Sequence, residues 1–398
     1  AKGIQMKTLE FLDIKSSALD NTIIINESDY EEIFQEISKL LDDDRYDSVI
    51  VDLTHGFRHL PILMIVNLII ASMKNVDKIE HIFFAKEIVS FKEYEIIDLL
   101  DYIDLAKLSF VLENFNFNYT VGNKLIFKNE VYQDLVDNLR IISGHILANS
   151  LKTLIEKDNN LINQIIEKLD SLKKEDKNIA TFSDSIENII KHLRKIEILK
   201  DEEDYIKLFR FSQMMKEREY LLNSITLLNE SMGMYCAKLI QDTNLNIKEK
   251  IDNFIKEEKY PLYKLAQHSK NLIKLENGFN GNYLNETFDK NEILNSLKEK
   301  YTLELTSLIK EIENLRNNLA HGNSSDQIEN VKGMISNLLK EYQRIIKIPN
   351  EINREKKNKE IEKKQENSKS IKKDKIIPTG IDAPKEKIDN FKNMFNNR

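Results

Sequence analysis

Cysteine is almost absent from this chain: Cys236 stands alone among 398 residues. That excludes a disulfide framework and a cysteine-built zinc site. Glycine (10) and proline (5) are also scarce, which argues against collagen-like or turn-dense all-β architectures. The seven histidines are scattered and none is paired with an acidic neighbour at ligand spacing, so no metal site is expected. A long apolar run is missing too. The most apolar stretch, Leu60 to Met73, is shorter than the about 20 residues a membrane span needs and is interrupted by Asn67. It reads as a fully buried helix. Lys2, Lys7 and Glu10 break up the start, so no signal peptide opens the chain and a cytoplasmic protein is expected.

What is present is charge and helix-forming apolar residues. Charged residues make up 31% and hydrophobic residues 41%, the balance of a helix-rich globular protein and not of a disordered chain. The net charge of −7 excludes an ordinary basic nucleic-acid binder. The charge is uneven, however: residues 354–375 hold ten Lys or Arg against five Asp or Glu. This Lys-rich stretch reads as a solvated, disordered tail over 349–398, with an RNA-attracting arm as the alternative.

The N-terminal hundred residues alternate between strand and helix patterns. Thr22-Ile-Ile-Ile-Asn26 is a β-branched run, and Ser28 or Asp29 can cap a helix through Leu41 with Ile33, Phe34, Ile37 and Leu40 on one face. Ser48–Leu53 suits a strand covered on both sides, Pro61 fits the first turn of the buried helix to Lys74, and Ile79–Ala85 gives a third strand. Such alternation predicts a Rossmann-like half with a parallel sheet. After Tyr94 the pattern is helical: about 98–114, 130–157, 160–173, 182–199 and 205–242. Asn277–Asn285 is the clearest loop. Tyr301, Leu305, Leu308, Ile312, Leu315 and Leu319 then make one seam of a long helix ending at Gly322, and Ser324-x-x-Gln327 predicts a capping box for a helix to about Ile346. Phe209, Phe211, Met214, Met215 and Cys236 read as core. His59, His81 and His145 read as packed or partly exposed beside apolar segments, and His192 and His268 lie in charged helical surroundings.

Two constellations carry chemistry. The first is Asp52-Leu53-Thr54-His55-Gly56-Phe57-Arg58, between the second strand and the buried helix. The carboxyl ends of strands are where open α/β sheets bind ligands, and a helix start offers N–H groups to an anion. Thr54 supplies a hydroxyl, Gly56 allows close backbone approach, Arg58 a donor fork, and His55 a ring that can stack on or donate to a base. The plainer reading is equally open: Asp52 and Thr54 cap the helix and His55 is a packed ring. The second is Arg316-Asn317-Asn318-Leu319-Ala320-His321-Gly322. Histidine titrates near neutrality and can move a proton; arginine stabilises a phosphorane-like charge. By itself the pair also fits a surface arginine and a histidine at the negative end of the helix dipole.

Asp52-x-Thr54-His55-Gly56 followed by Phe57-Arg58 resembles the signature of CARF domains, Rossmann-like sensors of the cyclic oligoadenylates made by type III CRISPR complexes. The resemblance covers roughly the first hundred residues. Family members begin with a strand and a glycine-containing ligand loop that is not found here, so an upstream N-terminal segment is expected. Arg316-Asn317-x-x-x-His321 resembles the catalytic motif of HEPN ribonucleases, with Asn317 at its usual polar position. CARF followed by HEPN is a known pairing. The resemblance implies an α/β Rossmann-like sensor over 1–97, a helical connector over 98–204, an all-α HEPN domain over 205–348, and the tail. It implies a cyclic-oligoadenylate-activated, metal-independent endoribonuclease of single-stranded RNA, leaving 2′,3′-cyclic phosphate and 5′-hydroxyl ends. Arg316, Asn317 and His321 would be catalytic, and Asp52, Thr54, His55, Gly56 and Arg58 would bind the activator, by family frequency a tetra-adenylate ring. No cofactor is implied. A homodimer is, because a ring of approximate symmetry needs two copies of the half-site. The alternative is a sensor joined to a non-catalytic helical binding module.

Overall fold

The computed structural model describes residues 30–54, 59–73, 78–90, 92–122, 125–155, 161–175, 179–242, 245–256, 262–274, 299–323 and 325–347. The chain falls into two units, Ala1–Leu338 and Leu339–Arg398. The packing described below belongs to the first; the described part of the second is the last turns of a helix. The run Thr22–Asn26, the loop Asn277–Asn285, Ser324 and the tail from 348 lie outside the described residues.

The fold opens with α1 (Tyr30–Asp42), β1 (Val49–Asp52), α2 (His59–Met73), β2 (Ile79–Val89) and β3 (Glu93–Asp98). These form a three-stranded sheet of order β1-β2-β3. β1 and β2 are parallel, with Val51 opposite Ile82 and Asp52 opposite Phe83. The parallel pairing of β1 and β2 is as expected; β3 is a strand the sequence did not predict, and it makes the sheet mixed by running antiparallel to β2, with Lys92 N–H bonded to the Val89 carbonyl at 2.9 Å in the reversal. The alternation in Glu93-Tyr-Glu-Ile-Ile-Asp98 carries that strand, which ends where the first expected helix begins.

Two burial expectations are also corrected. β1 is covered on one face: Val51 is buried while Ile50 is 48% exposed. The apolar helix α2 is likewise not fully buried, since Ile62, Val66 and Ile70, at i, i+4 and i+8, form an exposed stripe. Its inner face packs Leu68 and Ala71 with Leu41, Val51, Leu53 and Ile82. Asn67 is tolerated inside because Ser38 Oγ donates to its Oδ1 at 2.9 Å and its Nδ2 donates to the Phe34 carbonyl at 3.1 Å.

Helices follow: α3 (Leu100–Asn118), α4 (Glu130–Leu147), the short α5 (Lys152–Ile155), α6 (Leu161–Glu175), α7 (Ser183–Glu197), α8 (Asp204–Glu217) and α9 (Leu221–Gln241). The expected helices 130–157 and 205–242 are each broken once. Both breaks are left-handed helix ends: Asn149 (φ 55) and Glu219 (φ 64). Ser150 N–H reaches the His145 carbonyl at 2.8 Å and Tyr220 N–H reaches that of Met215 at 2.9 Å, each satisfying a carbonyl the helix would leave open. One hydrophobic core runs from Leu108 in α3 through α4, α6 and α7 to Phe211, Met214 and Met215 in α8 and Leu227 in α9. Residues on both sides of 204 therefore share a core.

The remaining helices are α10 (Leu245–Lys256), α11 (Leu262–Ile273), α12 (Glu299–Ala320) and α13 (Ile328–Ile346). The central α9 packs against α8, α11 and α12. Of the expected seam of α12, Leu305, Leu308, Ile312 and Leu315 are buried and Leu319 is half-buried. The expected capping box rests on Ser324, outside the described residues; α13 opens at Ile328, with the Gln327 carbonyl accepting from Asn330 and Val331. Cys236 is fully buried, and burial pushes its thiol up to about 12, which makes it inert.

Candidate functional site

The first constellation lies where β1 ends. The exposed Asp52 carboxylate accepts the Thr54 N–H at 2.8 Å, turning the chain off the strand. Leu53 N–H still pairs with the Phe83 carbonyl at 2.8 Å, and Thr54 Oγ1 accepts the Ala85 N–H at 2.9 Å. Thr54 thereby ties the turn to the middle of β2, just past Phe83, the last residue of β2 that pairs with β1. Its hydroxyl proton is still there to be donated. His55, Gly56, Phe57 and Arg58 lie outside the described residues. What the geometry gives is a turn at the carboxyl end of β1, braced against β2 and followed by α2 from His59.

The second constellation closes α12. His321 N–H bonds to the Asn317 carbonyl at 3.0 Å, so the helical path continues through His321. Gly322 then takes φ +66, Gly322 N–H reaches the Leu319 carbonyl at 3.4 Å, and Asn323 N–H reaches that of Asn318 at 2.9 Å. This is a Schellman ending with glycine in the left-handed position. Five helical steps place Arg316 and His321 about 140° apart around the axis. No hydrogen bond joins them, so the helix end does not swing His321 back to Arg316 within one chain. Asn317 lies between: its Oδ1 accepts from Arg316 Nη1 at 3.1 Å, and it is one turn before His321. Asn317 and His321 are exposed, and Arg316 is half-buried with an Nε–H that is buried and has no hydrogen-bond partner.

Beneath Arg316 lies a polar knot that the sequence reading did not single out. Lys270 of α11, 3% exposed, donates to Asn229 Oδ1 of α9 at 2.8 Å and pairs with Glu313 Oε1 of α12 at 3.2 Å. Lys274, one turn on, pairs with Glu313 Oε2 at 2.7 Å. Glu313 and Arg316 are three residues apart, neighbours on the helix surface. The available signals were the i, i+4 lysines and an acid at i−3 from the arginine, but helix-surface charges of this kind are ordinarily solvated.

No group of three or more His, Cys, Asp or Glu suited to holding a metal occurs among the described residues. No helix among them is long and apolar enough to cross a membrane. A scan against protein-family models finds no match, and a search of curated proteins finds none.

Proposed function

We propose that this chain is an endoribonuclease switched on by a cyclic oligoadenylate, with the α/β end as sensor and the helical end as nuclease, acting in type III CRISPR antiviral defence. The observation that carries the reading is Arg316-Asn317-x-x-x-His321 set at the closed end of α12, where Arg316 has no carboxylate partner among the described residues. An arginine kept out of ion pairs suits a phosphate, and a histidine at an exposed helix end can reach a substrate proton. The resemblance of the two motifs to CARF and HEPN signatures, in the known order, is the second support.

The chemistry is metal-independent transesterification. The 2′-oxygen attacks phosphorus, the bond to the 5′-oxygen breaks, and a 2′,3′-cyclic phosphate and a 5′-hydroxyl result. The 2′-proton leaves to a base and a proton reaches the departing oxygen, both within the range of histidine. Arg316 offsets the charge on the pentacovalent phosphorus, and Asn317 orients it. A homodimer completes the site, because the pair diverges on one helix and a second copy about a two-fold axis brings two more of these residues to it.

The test is RNA cleavage in excess chelator, with cyclic tri-, tetra- and hexa-adenylate tried in turn. Activation by one ring, strongest with the tetra-adenylate, and loss of at least about 100-fold in His321→Ala are expected. Unchanged cleavage in His321→Ala refutes the assignment. The missing contact between Arg316 and His321 favours one other reading, a sensor joined to a non-catalytic RNA-binding module. Ring binding with RNA retention but no cleavage would select it.

A further inference from the structure

We infer that Lys270 and Lys274 act as positioning residues for the proposed nuclease site, by occupying Glu313 and so keeping Arg316 available for phosphate. The inference rests on the reading of Arg316 as the phosphate-binding group.

An acid three residues before an arginine on a helix is within reach of an intrahelical ion pair. Glu313 does not pair with Arg316. Each of its two oxygens is taken by a different ammonium of α11, Oε1 by Lys270 and Oε2 by Lys274. The side chains of these lysines are only 3% and 7% exposed, and Lys270 is further fixed by Asn229. They are too deep to meet RNA themselves. A buried knot of this kind adds little net stability compared with apolar packing of the same volume, because desolvation offsets the Coulomb attraction. Its consequence lies one turn away: among the described residues Arg316 bonds to neutral Asn317 and has no carboxylate partner.

The experiment uses the full-length chain carrying His321→Ala, with binding of a 2′-O-methyl RNA oligonucleotide read by fluorescence anisotropy. Lys274→Met leaves Glu313 with one partner and frees an oxygen for Arg316, so affinity should fall about two- to five-fold, the range of a partly exposed ion pair. Adding Glu313→Gln to that variant removes the competing charge and should restore affinity to the parent value. A purely structural role predicts the opposite, a double variant that binds no better than the single one. That result, or full affinity in Lys274→Met alone, overturns the inference. Should Lys274→Met fail to fold, Glu313→Gln alone decides: parental or tighter binding supports the inference, and weaker binding overturns it. Arg316→Ala run alongside separates the two levels, since unchanged binding there removes the phosphate role of Arg316 itself.

Discussion

The guanidinium carbon of Arg218 lies 3.7 Å from the centre of the Tyr119 ring, stacked where α3, α7 and the break between α8 and α9 meet. One of its nitrogens donates to His192 Nδ1 at 2.5 Å and to the Asn116 carbonyl at 3.4 Å. Tyr220 adds a 2.7 Å bond to the Asn118 carbonyl, and the next residue after Arg218, Glu219, pairs with Lys332 of α13 at 2.6 Å. A short segment, 218–220, thus bonds to the end of α3 and to α7 on one side and to α13 on the other.

This joint is sensitive to acid. Burial, then the nearby charges of Arg218, Lys195 and Lys191, lowers the pKa of His192 to about 4 from an ordinary 6.5. Between those values the unfolded chain binds a proton that the folded chain refuses. The stability from neutral His192 is therefore present above pH 6.5 and is lost as pH falls toward 4. Discounted for partial exposure, the loss should be on the order of 1 kcal/mol. Urea midpoints at pH 7.5 and 4.5 check it: wild type should lose more than His192→Gln, which keeps an acceptor for Arg218 without a titrating ring. Equal losses would clear His192 of any part.

The left-handed end of α12 gives a second prediction. A Cβ on Gly322 would meet nothing within 4 Å, so Gly322→Ala tests backbone conformation alone. At φ +66 it should cost about 1 kcal/mol, and Gly322→Asn less, since asparagine tolerates this region better. Denaturant titration reads both. A neutral alanine would mean that the helix end readily adopts another form, and with it the placement of His321.

Periodic apolar spacing made most helices legible, the α12 seam most of all, because Leu305, Leu308, Ile312 and Leu315 face the core with no competing demand. Gly322 marked its end for the same reason. The breaks at Asn149 and Glu219 were hidden because neither is glycine, and nothing local announces a glutamate in a left-handed turn. β3 was hidden by its charge: a strand with Glu93 and Glu95 exposed lacks the apolar run used to find β1 and β2. At the candidate site, the motif residues are visible in sequence while the Lys270–Glu313–Lys274 knot is not. It depends on α11 lying against α12, a relation between segments well separated along the chain.

That packing suggests a third prediction. A Cβ on Gly233 of α9 would come within 2.8 Å of Ala266 Cβ in α11, with Ala266 backbone atoms at 3.3 Å. Gly233→Ala must push α11 away and should cost about 1–3 kcal/mol. Gly144 in α4 is the contrast, a helical glycine with open space around its Cβ position, where alanine should stabilise by up to about 1 kcal/mol. Thermal melts of the two variants should move in opposite directions. Movement in the same direction would mean that helix propensity, and not the close approach of α9 and α11, decides both.

The last prediction concerns control. A nuclease merely tethered to a sensor would cut cellular RNA continuously, so the unliganded state should be largely inactive. Shifting a two-state equilibrium from 1:99 to 99:1 takes about 5.5 kcal/mol of differential binding. In the proposed dimer, a multiply charged ring held by two copies of the turn braced through Thr54 and Ala85, each followed by Arg58 and the start of α2, would have to supply a difference of that size. We expect the change to pass through the core shared from Leu108 to Leu227 and the Arg218 joint, which are packed between the sheet and the last helices. Arg58→Ala should therefore raise the activator concentration needed while leaving the uninduced rate and helical content unchanged. His321→Ala should abolish cleavage at unchanged ring affinity. Arg218→Met should bind the ring normally, keep the uninduced rate, and respond to it weakly. Calorimetry reads the binding and a fluorogenic RNA the cleavage. Wild-type activation in Arg58→Ala would remove the turn after β1 as the ligand site, and wild-type activation in Arg218→Met would remove the joint as the route.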